Sequence, residues 1–161
     1  MGKLVIVEDD RVNGVDKHNI SGLQAAGSPP PSYSGTGEYE YHGKMVDQLS
    51  KFIQINGKPA AITSSKSTLD PGEDSFPTGR HSGPRGKNFL PSVPAPNSST
   101  LNITDPIGTG SPSATSGSTF VKINGIAILL DGDKIDTCDG LGQTMNSSVT
   151  AGNQDFVSCS E

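Results

Sequence analysis

Phe52-Ile53-Gln54-Ile55-Asn56-Gly57 returns 68 positions later as Phe120-Val121-Lys122-Ile123-Asn124-Gly125, and this repeated stretch decides the fold. Apolar and polar residues alternate before each Asn-Gly, which is the period of a half-buried strand. Asn-Gly supplies the two positive-φ residues of a type I′ turn, so each copy predicts a β-hairpin. Without gaps, Lys58-Pro59-Ala60-Ala61-Ile62 then lies against Ile126-Ala127-Ile128-Leu129-Leu130, and Lys66 falls on Lys134. Each turn is thus followed by a short apolar run.

A weaker echo opens the chain. Leu4 to Val7 runs into Glu8-Asp9-Asp10-Arg11-Val12, as Leu129-Leu130 runs into Asp131-Gly132-Asp133-Lys134-Ile135. The three stretches together predict one small β unit used about three times. Two Pro/Gly/Ser-rich segments, near 23–42 and 70–112, are read as surface loops, because breakers at this density exclude regular helix. The expected organisation is one domain over 1–161, mainly β. It is a small repeat of β units near 4–18, 52–62 and 120–138, the last two β-hairpins, with long Gly/Pro/Ser-rich loops.

Composition sets the same bounds. The 161 residues include 20 Gly and 12 Pro, about a fifth of the chain; only 31% are hydrophobic, 5% are aromatic and none is Trp. That excludes a large helical core, and a charged fraction of 18% does not fit a charged disordered tail. A formal charge of −5 without a Lys/Arg cluster argues against nucleic acid as a partner. Only Leu4 to Val7 precede the first acidic residues, too few for the apolar region of a signal peptide. The run Ile126–Leu130 is too short to span a bilayer. The chain is expected to be made in the cytoplasm without a signal peptide and to leave it only on a larger particle. Cys138 and Cys159 could form one disulfide, though synthesis in a reducing compartment favours free thiols. Four N-x-[ST] sequons, at Asn19, Asn97, Asn102 and Asn146, follow from the Ser/Thr-rich composition.

A small core of this kind gains most from a staple. The three histidines, His18, His42 and His81, each flank a predicted β unit, and Cys138 ends the second hairpin. Where such hairpins taper, their ends converge. Three imidazoles and a thiolate would make the closed tetrahedral set of a structural Zn²⁺, which contributes folding free energy directly. Each histidine alone also reads as a solvated loop residue, and Cys159 is a rival fourth ligand.

Gly57-Lys58-Pro59-Ala60-Ala61, with Gly132-Asp133-Lys134 and Thr137-Cys138, resembles the PAAR-repeat proteins. Asp16-Lys17-His18-Asn19 resembles that family's early histidine motif in looser form. The resemblance implies a small cone-shaped, zinc-stabilised structural β protein, not an enzyme. Such a protein caps and sharpens the trimeric VgrG-type spike of a contractile injection system (type VI secretion, a phage tail or a related extracellular particle) and helps puncture the target envelope. It implies a zinc held by histidines and a cysteine, with no small-molecule substrate or nucleic acid: His18 fits the family's early histidine and Cys138 its closing cysteine, and His42 and His81 complete the set as the remaining histidines. The first copy departs from the pattern: Thr63-Ser64-Ser65-Lys66 stands for Gly-Asp-Lys and Leu69-Asp70 for Thr-Cys, so it brings no ligand. Phe52, Ile55, Phe120 and Ile123 are candidates for the spike-facing base, and equally for the protein's own core. Two further readings stay open. One is a zinc-dependent hydrolase with Glu38, Glu40 or Glu73 as base. The other is a receptor-binding module of a particle. A triad of Asp16, His18 or His81, and Ser82 lacks any G-x-S-x-G context.

Overall fold

The computed structural model describes residues 2–23, 29, 32–69, 81–83, 86–89, 101–103, 110–137 and 147–160. Among these the protein is all β, with no helix and therefore none long and apolar enough to cross a membrane. The first strands are β1 (Lys3–Leu4), β2 (Arg11–Leu23) and β3 (Ser32–Asp47), followed by β4 (Gln54–Ile55), β5 (Lys58–Pro59) and β6 (Lys66–Leu69). Then come β7 (His81–Gly83), β8 (Gly86–Phe89), β9 (Leu101–Ile103) and β10 (Ser111–Pro112). The last are β11 (Lys122–Ile123), β12 (Ile126–Ala127), β13 (Lys134–Asp136), β14 (Ser147–Thr150) and β15 (Ser158–Cys159).

Antiparallel pairing runs β10-β13-β14-β2-β3, and β6 pairs with β3. The amide of Ser67 on β6 donates to the carbonyl of Gly110 beside β10 at 2.9 Å, which brings the sheet nearly full circle as a barrel. Period-2 patterning selects the inward face. Val12, Met45, Ile135 and Val149 are fully buried, while Arg11, Asn13, Lys134 and Thr150 are exposed. β2 and β3 stay paired for 13 residues, from Arg11↔Lys44 to Leu23↔Ser32, and carry β9 and β7 on their outer edges.

Three short apolar runs, Val5-Ile6-Val7, Ala60-Ala61-Ile62 and Ile128-Leu129-Leu130, close one end of this sheet. Their central residues bond in a cycle. Ile6 N–H donates to Leu129 C=O at 3.0 Å, Leu129 N–H to Ala61 C=O at 3.0 Å, and Ala61 N–H to Ile6 C=O at 2.8 Å. The next shell closes the same cycle in the opposite sense: Glu8 N–H donates to Pro59 C=O, Thr63 N–H to Ala127 C=O, and Asp131 N–H to Leu4 C=O. The runs are apolar throughout because both faces are covered. Ile6, Ala61 and Leu129 pack with Val12, Met45, Ile135 and Val149, and their neighbours pack in a second cluster with Ile55, Ile123 and Val157.

Each run leaves through a tight turn closed from inside by a short polar side chain. The amide of Val7 donates to Asp10 Oδ2 at 2.8 Å, that of Ile62 to Ser65 Oγ at 3.0 Å, and that of Leu130 to Asp133 Oδ2 at 2.8 Å. Two of the three runs are entered through a hairpin, Ala60–Ile62 through β4–β5 and Ile128–Leu130 through β11–β12. Positive φ at Asn56, Gly57, Asn124 and Gly125 makes both turns type I′, as the Asn-Gly pairs predict. The third entry has no turn: β15 pairs with β1, Lys3↔Cys159 and Leu4↔Ser158.

The structure differs from the sequence reading in the long segments. Residues 32–42, read as loop, belong to β3, where Glu38-Tyr39-Glu40-Tyr41 has the alternation that the glycines and prolines nearby obscure. The segment near 70–112 contributes the short strands β7, β8, β9 and β10.

Candidate functional site

The hairpin end carries an apolar surface. Phe52, Phe120 and Phe156 are 72%, 76% and 63% exposed, far beyond what a chain with five phenylalanines spends by accident. Ile53, Val121 and Ile126 are partly exposed beside them. Ile55 and Ile123 turn inward, Ile55 fully buried and Ile123 packed against the core, so the two roles left open for these four residues divide by position.

The same local device presents each phenylalanine. Ser50 Oγ accepts from the amides of Phe52 (3.2 Å) and Ile53 (3.1 Å). Ser118 Oγ accepts from those of Phe120 (3.2 Å) and Val121 (3.0 Å). Gln154 Oε1 accepts from those of Phe156 (3.2 Å) and Val157 (2.8 Å). The backbone amides of Ser50 and Ser118 donate onward to Ala60 and Ile128 carbonyls; at the third place Gln154 Nε2 does this, to Val5 C=O at 2.7 Å. These closed turns hold the amide pairs and leave the aromatic side chains to solvent.

Charge around this end is mixed. Lys51 and Lys122 are exposed near two of the phenylalanines, and Asp155 precedes the third. Lys58 Nζ bonds Asp9 Oδ2 at 2.6 Å and reaches Glu8 C=O at 3.3 Å. The Lys58 hydrogen bond holds the Asp9 carboxyl below its usual range, although the pair is largely in solvent.

The expected metal ligands fall on the β2–β3–β7 face and beyond. His18 lies opposite Gly37 of β3, and Thr36 lies opposite Ser82, which brings His81 level with Gly37. The two histidine positions are therefore at one height, two strands and about 10 Å apart. His42 is opposite Asn13, exposed, with Nδ1 3.0 Å from Asn13 Oδ1. Five strand residues, about 17 Å, separate it from Gly37. Cys138 lies outside the described residues. Just before it, buried oxygens of Asp136 and Thr137 have no hydrogen-bond partner among the described residues, nor has Ser147 Oγ on the adjacent strand. Among the described residues no three His, Cys, Asp or Glu side chains form a metal-binding group. Cys159 is a free thiol, half-buried in β15.

No protein-family model, curated protein or solved structure matches this chain. The phenylalanine set extends past what the sequence reading found. Gln154-Asp155-Phe156-Val157 echoes Phe120-Val121 only in its two apolar letters, and its continuation lies at the other end of the sequence, in Leu4–Val7. A search that wrapped the sequence on itself would have found it.

Proposed function

We propose that the protein is a structural cap for the trimeric spike of a contractile injection particle, a member of the PAAR-like tip proteins, and not an enzyme. The observation that carries this reading is the cyclic bonding of Ile6, Leu129 and Ala61, extended by the Glu8, Thr63 and Asp131 amides. A single chain that bonds in the same way three times around one line suits an end-on partner with threefold symmetry. On this reading the hairpins form the base of a cone, built from three repeats, and the barrel narrows away from the spike. A tip must survive one abrupt load, so its resistance to unfolding is kinetic. A nearly closed sheet, bridged from Ser67 to Gly110, supports that.

We also propose a structural zinc near the far end, held by His18, His81 and Cys138. It would cross-link strands distant in sequence and contribute to folding. The common height of the two histidine positions supports this, and so do the buried oxygens of Asp136 and Thr137 just before Cys138, which have no hydrogen-bond partner among the described residues. The position of His42, about 17 Å along β3, leaves it out of this set.

The test of the cap is stoichiometry. Native mass spectrometry of this chain with the trimeric spike of its own particle should give one copy per trimer. Three copies per trimer, or none, overturns the reading. For zinc, elemental analysis should find one equivalent in wild type and in His42→Ala and Cys159→Ser, and none in His18→Ala, His81→Ala or Cys138→Ser. Loss with His42→Ala would move the site.

A further inference from the structure

We infer that two free copies of this chain meet through their hairpin ends as a twofold dimer, which covers Phe52, Phe120 and Phe156; the inference goes beyond the cap reading and does not need it. The three phenylalanines are related by backbone bonds as well as by their acceptors. Ala60 N–H donates to Ile53 C=O at 3.0 Å, Ile128 N–H to Val121 C=O at 3.2 Å, and Val5 N–H to Val157 C=O at 3.0 Å. The residue after each phenylalanine is thus tied to the start of one central run. Because those runs bond in a cycle, the phenylalanines stand one to a run around its axis.

Charge selects a second copy as the occupant. The residues just before the three phenylalanines are Lys51, Thr119 and Asp155, all exposed. When two such rings are turned face to face about a twofold axis passing beside Thr119, the other two positions exchange. Each Lys51 then meets Asp155 of the second copy, so the surface is complementary to itself, as an isologous contact requires. The same axis brings the two copies of Lys122, two residues past Phe120, towards each other. One exposed like-charge contact costs about what one exposed ion pair gains, so the two attractions outweigh it. Area agrees. The phenylalanines, with Ile53, Val121 and Ile126, offer on the order of 600 Å² of apolar surface per copy. That is at the upper end for a patch left open on a monomer. Two such faces bury about 1,200 Å², the lower edge of the range for stable interfaces. The turns that carry the phenylalanines are fixed before contact, so little ordering is needed.

Sedimentation equilibrium of the chain alone tests this. At the lower edge of interface size, wild type should dimerise with a Kd on the order of 50 μM. Lys51→Glu and Asp155→Lys should each weaken the dimer roughly tenfold, since each change turns both cross-copy attractions into repulsions. Combining the two changes restores opposite charges and should return the affinity to within about threefold of wild type. Lys122→Gln removes the like-charge contact and should tighten the dimer about twofold. The variant with Phe52→Ser, Phe120→Ser and Phe156→Ser together should stay monomeric. Thermal melting checks that it keeps its fold, and the charge variants, which alter no apolar contact, decide the matter if it does not. A wild-type chain that is monomeric up to about 1 mM, far above that Kd, overturns the inference and leaves the cap reading to its own count of copies per spike trimer. Assemblies larger than two, a dimer that survives the triple phenylalanine change, or a double charge variant no tighter than the single ones also overturn it.

Discussion

Exchanging the residues at two of the three central positions, Ala61→Leu and Leu129→Ala, tests whether the cyclic layer packs as one unit. Ile6, Ala61 and Leu129 are fully buried in a single cluster, two large side chains and one small. Leu129→Ala alone removes a buried isobutyl group and leaves a cavity, at a cost of about 3–4 kcal/mol. For a chain of this length that lowers Tm by about 7–14 °C. Ala61→Leu alone overfills the same layer and costs about 1–3 kcal/mol. The double variant restores the volume, with the larger group moved one position around the cycle. It should therefore be more stable than the sum of the single changes by at least about 1 kcal/mol. Urea denaturation measures all four proteins, and an unchanged m-value keeps the comparison valid. Single effects that add to within about 0.5 kcal/mol would refute the shared layer, because residues that do not touch show no coupling.

Further expectations follow from single groups. Asp10 is fully buried; it accepts from Val7 N–H, and from the backbone amides of Gly152 and Asn153 and Asn153 Nδ2 at 2.9–3.0 Å. Asp10→Ala strands four donors and should cost at least about 3 kcal/mol in chemical denaturation, against about 1–2 for Ser65→Ala at the corresponding turn. Gly117 has φ +97 and a Cβ there would sit 2.5 Å from Thr63 Cγ2, whereas Gly125, φ +81, faces open space. Gly125→Ala should cost about 1–2 kcal/mol of backbone strain and Gly117→Ala clearly more, ranked by Tm. Asp9, whose carboxyl is held down by Lys58, stabilises the fold above the ordinary carboxylate pKa, and that contribution disappears as pH falls through its lowered value. The wild-type advantage over Lys58→Met should therefore shrink in acid melts, and at neutral pH it should be small and salt-sensitive because the pair is exposed.

What the sequence made legible was local. Both Asn-Gly hairpins, the apolar runs after them and the acid-bearing turns are set by neighbours within a few residues, so period and turn chemistry suffice. Residues 32–42 were hidden because the pairing that makes them strand comes from β2, and no local propensity overrides their glycines. The outward Phe52 and inward Ile55 share one strand-like segment; their division depends on Ser50 capturing two amides, a contact that composition does not show. Gln154 was the furthest out of reach, since a different side chain does there what serine does at the other two places.

The turnless pairing of β15 with β1 has a bearing on biosynthesis. Gln154 and Val5 meet across 149 positions, so the Val5-Ile6-Val7 run emerges from the ribosome long before its covering strand exists. During translation that run is an adhesive edge in search of any partner, and the cycle cannot close until Leu129 has been made. Such distant contacts make maturation slow and aggregation-exposed. Slow refolding and a need for chaperone shelter are the natural accompaniment of a molecule that is hard to pull apart once shut.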